Sequence, residues 1–216
     1  MAPPKIVVAG FGPFAGAPKN PSSELAARVA TSRRVASTGV RIHYVIIPTE
    51  YQEVFSILPR LLKDEKPDAV LLFGLAGSTP FVRIETKAVN VASSVYPDAA
   101  GKTLKQHTLV SGAPHILPVR GPRHRLLHAA LNTGTNSRLS VSAGRYICNA
   151  AFFVSLDMAR QGNRPQFVSF VHIPWPRGRA RRQAARRDRR PTMQMLVHAG
   201  EAILLALISG LRTKAA

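Results

Sequence analysis

The stretch "KIVVAGFGPFAGAPKNPSS", residues 5–23, decides the fold class. "KIVVAG" (5–10) is a short apolar run closed by glycine, which suits a buried strand. "FGPFAGAPKNPSS" is dense in Gly and Pro and reads as a loop. A helix is expected from Ser22 to about Val35, with Ser22 or Ser23 near its cap. Strand, loop and helix therefore follow one another at once.

The same alternation continues outward from that unit. "GVRIHYVIIP" (39–48) predicts a second strand, "TEYQEVFSILPRLLKDE" (49–65) a second helix and "DAVLLFG" (68–74) a third buried strand. An extended "RIETKAVNV" (83–91) and a proline-marked loop through Pro97 follow, with a further strand at "HILPV" (115–119). "PRHRLLHAALNTG" (122–134) reads as a helix leading through "LSVSAG" to a second helix at about 147–161. "QFVSFVHIP" (166–174) is strand-like, and a last helix runs from about Thr192 to Leu211. Strands alternating with helices imply an α/β layer structure with a largely parallel sheet.

A chain of 216 residues with 45% hydrophobic and 19% charged residues has a globular composition. Neither an internal repeat nor a linker is visible, so residues 1–216 are expected to form one domain. The early run "KIVVAG" is too short for an export signal, being interrupted at Gly10 and Pro13. The apolar tail "AGEAILLALISGL" (199–211) falls short of the about 20 residues that a spanning helix needs. A single cysteine excludes an internal disulfide and fits a reducing compartment. These features point to a soluble, cytoplasmic protein without a membrane span.

Charge is the outlying property: 30 Lys and Arg stand against 11 Asp and Glu, a formal +19. "RGRARRQAARRDRR" (177–190) is an arginine-rich insert before the last helix. Such a field attracts polyanions non-specifically and says little about fold. The run lacks the interleaved aromatics typical of single-strand binders. A basic nucleic-acid-binding protein without catalysis remains the reading from a different functional class.

Common chemical motifs are missing: no phosphate loop, no H-E-x-x-H and no G-x-S-x-G elbow. "GFGPFAG" departs from a dinucleotide fingerprint, because Pro13 intervenes and the third glycine is one residue late. What remains gathers at the carboxyl ends of strands, where open α/β sheets place ligand sites. Gly10 to Gly16 follow the first strand, Gly74 to Gly77 the third, and His172 ends "FVSFVH". Cys148, in "GRYICNAAFFV" (144–154), falls in the first turn of its helix, where free N–H groups favour a thiolate. A thiol nucleophile needs a base, usually imidazole, and the imidazole needs an orienting carboxylate. Each residue has a plainer alternative: Cys148 as a core hydrophobe, His172 as a strand-end histidine, Glu85 as an outward strand residue. His124 and His128 lie one helical turn apart with no third ligand evident, which suits a solvated face.

Taken together, these stretches resemble the pyroglutamyl peptidase I family of cysteine peptidases. "VAGFGPFAGAPKNPS" is similar to the family's opening G-F-G-P-F-G-G followed by N-P-S. "SAGRYICN" matches its A-G-x-x-x-C-N motif, and "FVHIP" its histidine motif. Glu85 lies at the family's spacing from Gly74, while "AVNV" and "YPDAAG" continue the match. The resemblance spans roughly residues 5–210 in the family's order.

It implies a single-domain α/β/α sandwich that needs no metal or other cofactor and often assembles as a homotetramer. It further implies that Cys148 attacks the carbonyl after an N-terminal pyroglutamyl residue, that His172 activates it and that Glu85 orients His172. Phe11 and Phe14 would sandwich the flat pyrrolidone ring, where aromatic faces supply the contact that a neutral lactam allows. Two positions depart from the pattern. "GLAGS" carries Leu75 where the family has a substrate-binding glutamine, and Val95 stands in place of a usual arginine. The same triad acting on another small acyl or lactam-like N-terminal group is the alternative these departures open.

Overall fold

The computed structural model describes residues 3–162, 164–178 and 189–215. The apolar run at the start of the chain is β1 (Lys5–Phe11), buried after its first residue. Parallel neighbours cover both of its edges: β2 (Arg41–Ile47) on one side and β3 (Ala69–Leu75) on the other. Next to β3, also parallel, lies β8 (Phe167–Ile173). Then come β4 (Val82–Glu85) and the short edge strand β7 (Ser137–Ser140), completing the order β2-β1-β3-β8-β4-β7.

The expected α/β architecture with a mostly parallel sheet is what the structure has, with one departure. β4 runs antiparallel to β8 while remaining parallel to β7. The connection 76–81 is too short for the crossover that a parallel return requires. The extended segment 83–91 also divides. Its second half, β5 (Lys87–Val89), pairs with β6 (Ile116–Pro118) in a separate two-stranded sheet. Thr86 is the switch: its N–H donates to Ser140 O of the large sheet, and its carbonyl accepts from Val119 N beyond β6. β7 has no strand signal of its own, because "SRLS" carries only one apolar residue, and its pairing to β4 makes it a strand.

Helices cover both faces. On one side lie α3 (Tyr51–Glu65) and α5 (Ile147–Gly162), packed on Val7, Ala9, Val70, Leu72 and Phe170. On the other lie α1 (Pro21–Ala30), α4 (Arg123–Leu131) and α6 (Met193–Ala215), against the alternate residues Ile6, Val8, Leu71, Phe73 and Val171. This is the period-two alternation of a strand sorted into two cores. The helix expected over 22–35 is two pieces, α1 and the single turn α2 (Arg33–Ala36), because Ser32 between them is extended at φ −64°, ψ 132°. That bend lets Val35 enter the core before the chain turns into β2.

α6 is longer than its apolar run suggested, and by length and hydropathy it matches a membrane span. Its Leu196, Ile203, Leu204, Leu207 and Ile208 are nonetheless spent on the sheet and on α1, as in a core helix. Residues 179–188 of the arginine-rich run lie outside the described residues.

Candidate active site

The site forms where β1, β3 and β8 end. Asn20 and Ser22, from the N-P-S segment, fix the first loop. Asn20 caps α1 by accepting Ser22 N at 3.1 Å, and its amide donates to Gly12 O at 3.0 Å. Ser22 Oγ accepts Phe11 N at 3.1 Å. The loop after β1 is thereby pinned by buried hydrogen bonds rather than left to its glycines.

Cys148 is the second residue of α5 and is partly buried. Its sulfur rests against the backbone of Gly74 near the end of β3. A Cβ placed on Gly74 would lie 2.9 Å from Sγ and 2.7 Å from Phe170 Cζ. Gly74 is the register partner of His172 on β8, and the His172 ring packs on Phe170 with centroids 4.7 Å apart. Gly74, Phe170 and His172 therefore share one face of the sheet, and α5 delivers the thiol to that face.

His172 Nδ1 lies 2.8 Å from Glu85 Oε1, and the Glu85 side chain is 0% exposed. Glu85 is the last residue of β4, so the antiparallel pairing of β4 with β8 brings the carboxylate to the histidine. The structure brings together Glu85 and His172, which are 87 residues apart in sequence.

A guanidinium completes this cluster. Arg83, two residues before Glu85 and on the same strand face, places NH2 3.0 Å from the same Oε1. Its Nε and NH2 donate to Ser140 Oγ at 3.1 and 2.7 Å, and NH2 also reaches Ser142 O. Glu85 Oε2 is buried without a partner among the described residues. Arg83 is not among the residues expected from the sequence, although a cation at i−2 from a strand carboxylate falls on the same face.

Burial pushes the Cys148 thiol up to about 12, and the Glu85 charge adds to the rise. The cysteine's own backbone N–H opposes it and is outweighed. Burial therefore opposes the help that the helix start offers to a thiolate. Loss of hydration dominates a helix-end effect that is worth only about 0.3–1 kcal/mol near a surface.

Phe11 is 1% exposed and packs on Phe170 at 6.0 Å, forming floor rather than open wall. Phe14 is half-buried and faces Tyr146, two residues before Cys148, with centroids 6.4 Å apart. Tyr146 is held by its hydroxyl, which donates to Pro97 O at 2.9 Å. Asn149, the residue after the cysteine, is fully buried and clasps Val89 N and the Val89 and Val91 carbonyls, tying α5 to β5. The aromatic partner Tyr146 and the strut Asn149 were not singled out from sequence.

Leu75 ends β3 opposite Ile173, half-buried, and the strand pleat turns it to the face opposite Gly74. Val95 is 73% exposed in a loop whose N–H groups at 95 and 96 are held by Ser93 Oγ. His124 and His128 are both exposed on α4. No group of three His, Cys, Asp or Glu could hold a metal among the described residues. A cavity of about 460 Å³ lies alongside, walled by Pro13, Trp175 and Met193; none of Glu85, Cys148 and His172 lines it.

Solved structures share this architecture. The pyrrolidone carboxyl peptidase of Thermococcus litoralis superposes with a TM-score of 0.87 over 98% of this chain and 96% of that one, at 22% identity. The pyroglutamyl peptidase I of Bacillus amyloliquefaciens gives 0.81 over 95% of each chain, also at 22% identity. Sequence likeness is closer elsewhere. The pyrrolidone-carboxylate peptidase of Thermococcus kodakarensis is 33% identical over 171 residues, which are 79% of this chain and 81% of that protein. That of Deinococcus radiodurans is 32% identical over 172 residues, 79% of this chain and 78% of that protein. The family model described as pyroglutamyl peptidase matches residues 4–207, and with it the sequence motifs, the fold and the relatives agree: the chain belongs to the pyroglutamyl peptidase family of cysteine peptidases.

Proposed function

We propose that this chain, acting as one domain, hydrolyses the amide bond after an N-terminal pyroglutamyl residue, with Cys148 as nucleophile, His172 as general base and acid, and Glu85 as its orienting carboxylate. The observation that carries this reading is the buried 2.8 Å Glu85–His172 pair on the sheet face that also receives Cys148 Sγ.

Burial disfavours a free thiolate, so the thiol proton passes to His172 Nε2 as the sulfur–carbon bond forms. His172 Nδ1–H donates to Glu85 Oε1 throughout, which fixes the tautomer that leaves Nε2 free to accept. The Cys148 backbone N–H, near the start of α5, is the candidate donor to the oxyanion. As the intermediate collapses, the carbon–nitrogen bond breaks and Nε2–H protonates the leaving amine. Water then adds to the thioester with His172 as base, releasing the acid and restoring the thiol.

Phe14 with Tyr146, above the Phe11 floor, would hold the pyrrolidone ring by its faces. Leu75 lies at the rim of the same strand end. A hydrocarbon at Leu75 and a solvent-facing Val95 support the second reading, in which the same residues act on another small lactam-like acyl group. Neither reading requires a metal or cofactor. Homo-oligomeric assembly, as a tetramer, and a cytoplasmic setting for the lone free cysteine belong to this proposal. Association with polyanions through 177–190 would be non-specific and lost as salt rises.

Release of a fluorogenic amine from its pyroglutamyl amide tests the proposal. Wild type is expected to turn over, and Cys148→Ala to lose about 10⁴-fold or more in kcat. A folded but inactive wild type, or an equally active alanine variant, overturns it.

A further inference from the structure

We propose that Arg83 is a positioning residue for this reaction, aiming the Glu85 carboxylate at His172 and locking it to the loop that leads into the cysteine helix. The inference rests on the catalytic roles proposed above for Glu85, His172 and Cys148.

Glu85 is fully buried, and a buried charge persists only with compensation close by. A neutral imidazole supplies one donor and no charge. The only cation paired with this carboxylate among the described residues is Arg83, 3.0 Å from Oε1. Both His172 and Arg83 converge on that one oxygen, so the guanidinium fixes which carboxylate oxygen faces the imidazole.

The Arg83 side chain carries out two tasks at once. Arg83 spends N–H groups on Ser140 Oγ and the Ser142 carbonyl, while its charge lies against Glu85. Ser140 ends β7, and Ser142 lies in the short segment between β7 and α5, whose second residue is Cys148. Arg83 thus bridges β4, which carries Glu85, to the loop that sets where α5 begins. Its register partner on β8 is His172 itself. A shift of this arginine would alter the alignment of base and nucleophile together, and reactions of this kind lose about 10²-fold for a misplacement of about 1 Å.

The test is a double-mutant cycle with Arg83→Gln and Glu85→Gln, read on the pyroglutamyl amide and by proton NMR. Arg83→Gln is expected to lower kcat by about 10- to 100-fold with KM within about 2-fold, because it acts on alignment and not on substrate contact. In the Glu85→Gln background the same change is expected to cost less than about 2-fold, since the group it aims is gone. Arg83→Lys keeps the charge without the fork and should recover part of the loss.

The downfield Nδ1–H resonance of His172 should move or broaden in Arg83→Gln, a readout that needs no substrate. If wild type fails on the pyroglutamyl amide while this resonance still responds to Arg83→Gln, the proposed substrate fails and the positioning role stands. An Arg83→Gln variant that melts like wild type, keeps its kcat and leaves the resonance unmoved overturns the role. Equal kcat losses in both Glu85 backgrounds overturn it too, because Arg83 would then act through the fold alone.

Discussion

Replacing Gly74 by alanine places a methyl group where the nucleophile rests. The added carbon would lie 2.7 and 2.8 Å from Phe170 ring atoms and 2.9 Å from Cys148 Sγ, against 3.4–4 Å for ordinary contact. At least about 0.5–0.7 Å of movement is needed, and something in a dense interior must supply it. Phe170 has little freedom, since its ring touches Phe11, Phe152 and His172 at centroid distances of 6.0, 5.5 and 4.7 Å. The thiol, on a rotatable bond, yields more easily, and it yields away from Gly74.

Overpacking of this kind costs about 1–3 kcal/mol, so the melting temperature should drop by about 2–12 °C. A displacement approaching 1 Å at the attacking atom should lower kcat by about 10²-fold, with a smaller change in KM. Gly77→Ala provides the comparison. Its added carbon meets Trp175 Nε1 at 2.7 Å, equally tight but against a half-buried side chain that can turn, and not against the thiol. Steady-state kinetics on the pyroglutamyl amide, with calorimetry on both variants, decides the matter. Gly74→Ala with unchanged kcat, or Gly77→Ala with an equal loss, refutes the assignment of Gly74 as the seat of the sulfur.

Stability should fall at alkaline pH. Burial raises Cys148 and Tyr51 each to about 12 from 9.0 and 10.0, so their neutral forms stabilise the fold fully below those ordinary values and that share is lost as pH rises toward 12. Chemical denaturation from pH 8 to 11.5 checks this; Cys148→Ala should fall less steeply, and an identical slope counts against the buried neutral thiol. Asp98→Ala should cost about 2–4 kcal/mol by melting, since its carboxylate accepts Tyr51 N at 3.1 Å, Ala100 N at 3.0 Å and Lys102 N at 2.9 Å. A loss under 1 kcal/mol would mean water replaces those bonds freely. Leu75→Gln, whose longer amide must reach round the end of β3 from the face opposite Gly74, should raise kcat/KM on the pyroglutamyl amide by about 2- to 10-fold, the value of one net hydrogen bond. No gain would move substrate recognition away from that position.

The sequence made the layer architecture legible because buried strands in a doubly covered sheet are continuous apolar runs, as in "KIVVAG" and "DAVLLFG". Short polar strands were illegible for the converse reason. β7 contributes a buried Ser137 and only one apolar side chain, the partly buried Leu139, and its identity depends on pairing with β4, which no local pattern records. The antiparallel joint between β4 and β8 was hidden likewise. Strand direction follows from where the chain returns, and here a six-residue connection sets it. The pairing of Glu85 with His172 was visible only through motif resemblance, because contact across 87 residues has no periodicity to betray it.

The burial of Cys148 shows why position along a helix does not settle reactivity. A helix start offers modest electrostatic help to a thiolate, whereas loss of hydration raises the pKa of a sulfur resting against Gly74. Glu85, proposed to orient His172, adds negative charge that further disfavours the thiolate. A neutral thiol beside an oriented imidazole is therefore the consistent arrangement, with proton transfer coupled to attack. The neighbouring guanidinium of Arg83 fits the same logic, since it offsets the carboxylate without touching the sulfur's proton. Electrostatics in this site are thus set by three strands and one helix meeting at β8, and not by the sequence around the cysteine alone.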